Sequence, residues 1–251
     1  MKSWQDLGFE IEITKDQSPT LRLLQSLDPS KEFGESMHHS GGASTETTHL
    51  YGNVAADVLG KVKDPHFMVV GLGLGYIEMN IAREAIKKNA SVGLITSYES
   101  IPELSEFFIE WLHDRGGNLP IEVADVYDQV LKHVLSENSI SDKELKSFLR
   151  NHFETVKDVQ GPLGENTEFV SRYHGFFYDA YSSKTHPHLW DEVFLNRLLS
   201  EAASSQCSLS TYAVKGTLKR ALKNHGFQVI EREGFFSKRG STLGVRGWID
   251  L

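Results

Sequence analysis

The chain has 251 residues, 34 of them acidic and 26 basic, for a net charge of −8. A hydrophobic content of 39% and a charged content of 24% are those expected of a soluble globular protein, long enough to bury one full α/β core. No apolar run nears the roughly 20 residues that a membrane span requires. The only cysteine is Cys207, which excludes a disulfide framework and a thiolate metal cage. Residues 1–6 lack the apolar core of a signal peptide, so a cytoplasmic protein is the expectation.

Residues 9–14 alternate apolar and charged side chains, the pattern of a half-exposed strand, and residues 20–24 read as its hairpin partner. The sequence thus predicts a small N-terminal β extension, and with the loop and helix after it this makes a region over residues 1–60. Residues 35–52 begin as a polar, glycine-containing loop, placed to form one wall of a pocket. Ser44 or Thr45 could cap a helix running through Leu59. His38, His39 and His49 lie in this stretch without carboxylate or cysteine partners at matching spacing, so no metal site is expected.

The chain is organised around Phe67-Met68-Val69-Val70-Gly71-Leu72-Gly73-Leu74-Gly75. A short apolar run stopped by glycine reads as a buried parallel strand entering a tight turn. Residues 76–88 then place Ile77, Ile81, Ala82 and Ala85 at helical spacing. Such a strand, turn and helix lets a ligand approach the backbone, with helix N–H groups directed at it. The dinucleotide pattern G-x-G-x-x-G fails at Tyr76, whereas the looser G-x-G-x-G turn of S-adenosylmethionine (SAM) enzymes fits Gly71, Gly73 and Gly75. A second strand, 91–98, ends in Glu99, 24 positions after Gly75. A carboxylate there can accept hydrogen bonds from ribose hydroxyls.

Residues 101–113 read as an amphipathic helix, and 130–150 as one or two more, broken near 137–139. Residues 153–159 look like a short strand with Asp158 at its end, a candidate cofactor ligand. An aromatic strand ends in Asp179, where an acid can orient an amine acceptor or take its proton. His186 and His188 flank Pro187 and read as exposed loop residues. The remainder reads as a strand at 208–212, a basic helix at 217–224, a strand at 227–232, a basic-aromatic loop at 234–240 and a closing strand at 243–247. From Thr211 onward the charge is +5, against −13 for the rest, an asymmetry that a nucleic-acid face would produce.

Four stretches together resemble the methyltransferase domain of the MnmC family and its stand-alone relatives called MnmD. They are residues 36–51 with Glu46-Thr47, the turn Gly71-Leu72-Gly73-Leu74-Gly75, the segment Asp179-Ala180-Tyr181-Ser182-Ser183-Lys184 with Pro187 and Leu189-Trp190, and the C-terminal run from Thr211-Tyr212 through Gly234-Phe235, Lys238-Arg239 and Arg246-Gly247. The resemblance implies a Rossmann-like class I SAM methyltransferase over residues 61–251, with a mostly parallel sheet and a C-terminal antiparallel strand. It implies conversion of 5-aminomethyl(-2-thio)uridine to the 5-methylaminomethyl form at the tRNA wobble position, with no metal and no membrane. Asp179 would be catalytic. Gly71, Leu72, Gly73, Gly75, Glu99, Asp158, Glu46 and Tyr51 would hold the cofactor, and Tyr181, Lys184, Phe235, Lys238 and Arg239 the tRNA. It further implies functional coupling to a separate oxidoreductase that makes the aminomethyl precursor. The competing readings are a SAM methyltransferase of another nucleic acid or of a small amine, and a nucleic-acid-binding relative that has lost catalysis.

Overall fold

The computed structural model describes residues 2–25, 34–136, 139–233, 235 and 240–248. Strands β1 (Phe9–Ile13) and β2 (Pro19–Leu23) form the antiparallel hairpin expected from their alternation. A helical stretch follows in three parts: α1 (Ala43–Thr47), a π-helical turn (Thr48–Gly52) and α2 (Asn53–Lys61). Neither Ser44 nor Thr45 caps it. The helix begins at Ala43, and the Asp16 carboxylate in the hairpin turn accepts a hydrogen bond from the Thr45 N–H at 3.0 Å instead.

The second part alternates strands and helices: β3 (His66–Val70), α3 (Tyr76–Lys88), β4 (Leu94–Tyr98), α4 (Pro102–Leu112), α5 (Ile121–Leu135), α6 (Asp142–Arg150), β5 (Val159–Gln160), β6 (Tyr173–Tyr178), α7 (Glu192–Ala202), β7 (Ala203–Thr211), α8 (Gly216–Asn224), β8 (Gln228–Arg232) and β9 (Ser241–Arg246). The seven-stranded sheet runs β5-β4-β3-β6-β7-β9-β8. Its strands pair in parallel except β9, which is antiparallel to both neighbours. This is the α/β architecture that the sequence predicts, Rossmann-like with an antiparallel closing strand.

One element departs from expectation. Residues 156–158 form a 3₁₀ turn, and the strand after it is only Val159–Gln160, so Asp158 precedes a strand rather than ending one. The Asp158 carboxylate accepts hydrogen bonds from the Glu154 and Thr155 N–H groups at 3.0 and 2.7 Å. A local cap thus competes successfully for the acid.

The sheet is covered on both faces. One core cluster joins Phe67, Val69 and Phe177 to α2, α3, α4 and α5; the other joins Met68, Phe176 and Tyr178 to α7 and α8. The residue alternation within β3 and β6 therefore sends side chains to both layers, as a strand buried on both faces requires. The strand order reverses between β3 and β6, which makes the crevice beyond their C-terminal ends the place where an open sheet of this kind binds ligands.

Candidate active site

β3 and β6 lie side by side with Val70 opposite Tyr178, so the residues that follow them, Gly71 and Asp179, emerge together. The Asp179 N–H donates to the Val70 carbonyl at 3.0 Å. Gly71 has φ +93°, and a Cβ there would stand 2.9 Å from the Asp179 carbonyl oxygen. Glycine is thus required both for the left-handed backbone and for the close approach. Gly75 (φ +74°) has the same double constraint, since a Cβ would lie 2.6 Å from the Phe108 ring.

A cavity of about 520 Å³ opens over this junction. Its floor is the glycine turn, with Gly71, Leu72, Gly73 and Leu74. Its walls include Glu99, Asp179, Tyr181 and the loop 35–40, in keeping with the pocket wall expected of that loop. Glu99 is 8% exposed and follows β4 directly. Its carboxylate accepts from Gly73 N–H at 3.0 Å, Ser100 N–H at 2.8 Å and Ile101 N–H at 2.9 Å. Burial raises its pKa, and those three N–H groups counter the rise,. The acid is therefore tied to the turn it faces.

Asp179 is held from behind. The Tyr51 hydroxyl donates to its Oδ1 at 2.5 Å. Burial first, then the Asp179 charge, keeps the tyrosine protonated well beyond its ordinary range, so Tyr51 is a fixed donor. Glu46 lines the cavity and accepts from the His39 N–H at 2.6 Å.

Of the other sequence candidates, Tyr181 lines the cavity, and its hydroxyl is buried without a hydrogen-bond partner. Tyr51 does not itself line the cavity, and neither does Asp158 or the exposed Lys184. Phe235 is packed against His39 and His49, with ring centroids 5.9 and 6.4 Å away. Lys238 and Arg239 lie outside the described residues.

Sequence reasoning missed Glu35, whose carboxylate accepts from Ser182 Oγ at 3.0 Å and Thr185 Oγ1 at 2.8 Å, pinning the loop after β6. It missed Tyr212, whose hydroxyl donates to the Ala180 carbonyl at 3.0 Å, and the wall residues Pro162 and Leu163. His186 and His188, read as exposed loop residues, also line the cavity; His188 is exposed and His186 is half-buried. A signal was available for Pro162, Leu163 and Tyr212, which closely follow the C-terminal ends of β5 and β7 at the crevice,; Glu35 and the two histidines lie too far along the chain from a strand end to be marked that way.

The sequence profile of a family described as S-adenosyl-L-methionine-dependent methyltransferase matches residues 121–247. The chain belongs to this family. Among its relatives, the tRNA 5-methylaminomethyl-2-thiouridine biosynthesis bifunctional protein MnmC of Hahella chejuensis is 34% identical over 87 residues, 33% of this chain and 14% of that protein. Protein MJ0670 of Methanocaldococcus jannaschii is 24% identical over 217 residues, 84% of this chain and 54% of its own length. The chain therefore spans a small part of the first relative and about half of the second. In structure it is similar to MnmC2 from Aquifex aeolicus, with a TM-score of 0.63 at 20% identity over 95% of this chain and 70% of that one. That likeness shows the fold.

The cavity fits the family's cofactor. A buried carboxylate beside a glycine turn suits ribose hydroxyls, and the apolar walls Leu72, Ile77 and Leu163 suit a purine,. Among the described residues no three His, Cys, Asp or Glu side chains group so as to hold a metal ion, and no helix is long and apolar enough to cross a membrane.

Proposed function

We propose that this methyltransferase N-methylates the aminomethyl group of 5-aminomethyl(-2-thio)uridine at the tRNA wobble position. The observation that carries this reading is the Asp179 carboxylate, fixed by Tyr51 at 2.5 Å and set at the mouth of the glycine turn. Support also comes from the name of the MnmC relative. When bound, SAM supplies an activated methyl group. Glu99 would hold its ribose, with Gly71, Leu72, Gly73 and Glu46 around it and Gly75, which does not line the cavity, shaping the turn. Asp179 would accept a hydrogen bond from the acceptor amine, set its lone pair in line and take its proton. Tyr181 would contact the base, with Lys184, Phe235, Lys238 and Arg239 toward the rest of the tRNA. The reading includes a cytoplasmic location and a separate oxidoreductase that supplies the aminomethyl group.

A small-amine acceptor is the second reading, favoured by a specific observation. Part of the basic C-terminal face is tied up within the fold: Lys219 pairs with Glu231, Arg220 pairs with Glu192, and the Arg246 guanidinium is held by the carbonyls of His225 and Ala203. The test begins with calorimetric titration of SAM, S-adenosylhomocysteine and NADH into wild type and Glu99→Ala. Micromolar binding of the first two, weakened by the substitution, supports the cofactor assignment; NADH binding alone overturns it. Methyl transfer to wobble-modified tRNA, lost in Asp179→Asn, then supports the substrate. Transfer only to free alkylamines would favour the second reading.

A further inference from the structure

The helical stretch from Ala43 to Lys61 is not uniform. Its middle, Thr48–Gly52, is a π turn, closed by the Asn53 N–H donating to the Thr48 carbonyl five residues back. Such widened turns concentrate at functional sites, because they release a carbonyl and rotate the side chains that follow. Within this turn the Leu50 carbonyl meets side chains from two strands of the large sheet. It accepts from Ser210 Oγ and from Arg232 Nη1, the latter at 3.3 Å. Arg232 Nη2 also donates to Ser210 Oγ at 2.8 Å. Ser210 is fully buried in β7, and Arg232 ends β8.

The next residue after Leu50 is Tyr51. Its ring packs edge-on against Phe177, with centroids 5.8 Å apart, and its hydroxyl reaches Asp179. A chain of contacts therefore runs from Arg232 and Ser210 through the Leu50 carbonyl to the tyrosine and then to the acid.

An arginine is a costly residue with which to hold a carbonyl. Burying a guanidinium is unfavourable unless its donors are met, yet Arg232 Nε is buried with no hydrogen-bond partner. Burial also pulls its pKa below the ordinary arginine value. The residue is poorly explained by sheet stability alone. We propose that Arg232, with Ser210, is a positioning residue that holds the Leu50 carbonyl and so sets the π turn that aims Tyr51 at Asp179. This rests on the reading of Asp179 as the acid at the methyl-transfer site.

The variants are Arg232→Gln, Ser210→Ala, Tyr51→Phe and the doubles that combine each of the first two with Tyr51→Phe. The Tyr51 hydroxyl is buried and bonded to a carboxylate, so its proton should give a slowly exchanging downfield NMR signal, assigned by its loss in Tyr51→Phe. Arg232→Gln should shift or broaden that signal. It should lower kcat about 10-fold, the scale of one misplaced hydrogen bond to a charged group, with SAM affinity unchanged. In the Tyr51→Phe background it should cost no further kcat. Ser210→Ala, the milder change, should show the same pattern and serves if Arg232→Gln does not fold. An unmoved hydroxyl signal in the folded variant, or kcat losses that add in the double variant, would overturn the proposal. If wild type methylates no aminomethyl-tRNA while the hydroxyl signal still responds to Arg232→Gln, the substrate reading fails and the positioning role stands.

Discussion

At the scale of single residues the site is governed by how closely two strands approach. Gly71 illustrates it, because both its φ of +93° and the Asp179 carbonyl 2.9 Å from a hypothetical Cβ forbid a side chain. Gly71→Ala should destabilise the fold by about 1–3 kcal/mol, the usual scale for forcing a non-glycine residue into such backbone. It should also push Asp179 from its place, so methyl transfer should fall by more than SAM affinity. Urea unfolding and calorimetry on the same preparation check both. Gly117 is the control: a Cβ there meets nothing within 4 Å, so Gly117→Ala should leave the urea midpoint and SAM binding unchanged. Gly71 is legible in the sequence because a glycine that stops a buried apolar run marks the place where the backbone must turn sharply or be approached closely. Asp158 is illegible for the converse reason. An acid near a strand end looks the same in sequence whether it faces a ligand or caps its own turn, and the fold alone reveals its carboxylate on the Glu154 and Thr155 N–H groups.

At the scale of elements, α3 joins the turn to a buried acid that no motif marks. Glu78, in its first turn, is fully buried, with Oε1 accepting from Ser97 Oγ at 2.6 Å and Oε2 lacking any partner. Burial pushes its carboxyl up to about 8,. The folded protein therefore keeps a proton that the unfolded chain loses near 4.5. Stability from this group is full below about 4.5, falls as pH rises toward 8 and is level above that,. Glu78→Gln, which retains shape and one acceptor, should remove this decline. Urea midpoints of wild type and variant from pH 5 to 9 should diverge with increasing pH, the variant being the more stable at pH 8; parallel curves would show that Glu78 does not titrate in this window. The element pattern itself is readable, since α3 runs over the residues that its apolar spacing marks out. The π turn is not, because Thr48–Gly52 carries no composition that separates a five-residue turn from an ordinary one, and the side chains that hold its Leu50 carbonyl, Ser210 and Arg232, lie 160 and 182 positions away.

At the scale of the whole molecule the question is what the N-terminal hairpin does. It pairs with none of the strands of the large sheet, yet it bears on the cavity. Its turn residue Asp16 accepts hydrogen bonds from Thr14 Oγ1 and from the N–H and Oγ1 of Thr45, at 2.7, 3.0 and 2.7 Å, as well as from Ser18. Ser18 Oγ in turn accepts from the Ser44 N–H at 3.0 Å, and Thr20 Oγ1 bonds His38 Nδ1 at 2.8 Å. The hairpin thus supplies the cap that α1 lacks and grips the loop whose residues 35–40 wall the cavity. Burial pushes the Asp16 carboxyl up, but the bonds from Ser18, Thr14 and Thr45 outweigh it and hold it well below the usual carboxylate range. Its contribution is therefore complete above about 3.8 and is lost only as pH falls below that,, so at neutral pH the tether is always engaged. Asp16→Ala removes it without touching the cavity lining. If the hairpin organises the wall, the variant should lose about 1–2 kcal/mol of stability, as for a deleted helix cap, and should bind SAM several-fold more weakly. Amide exchange at residues 43–45 should quicken in step. Unchanged SAM affinity alongside quickened exchange would mean that the hairpin stabilises α1 alone, and that the wall is shaped by Glu46 and the loop's own bonds.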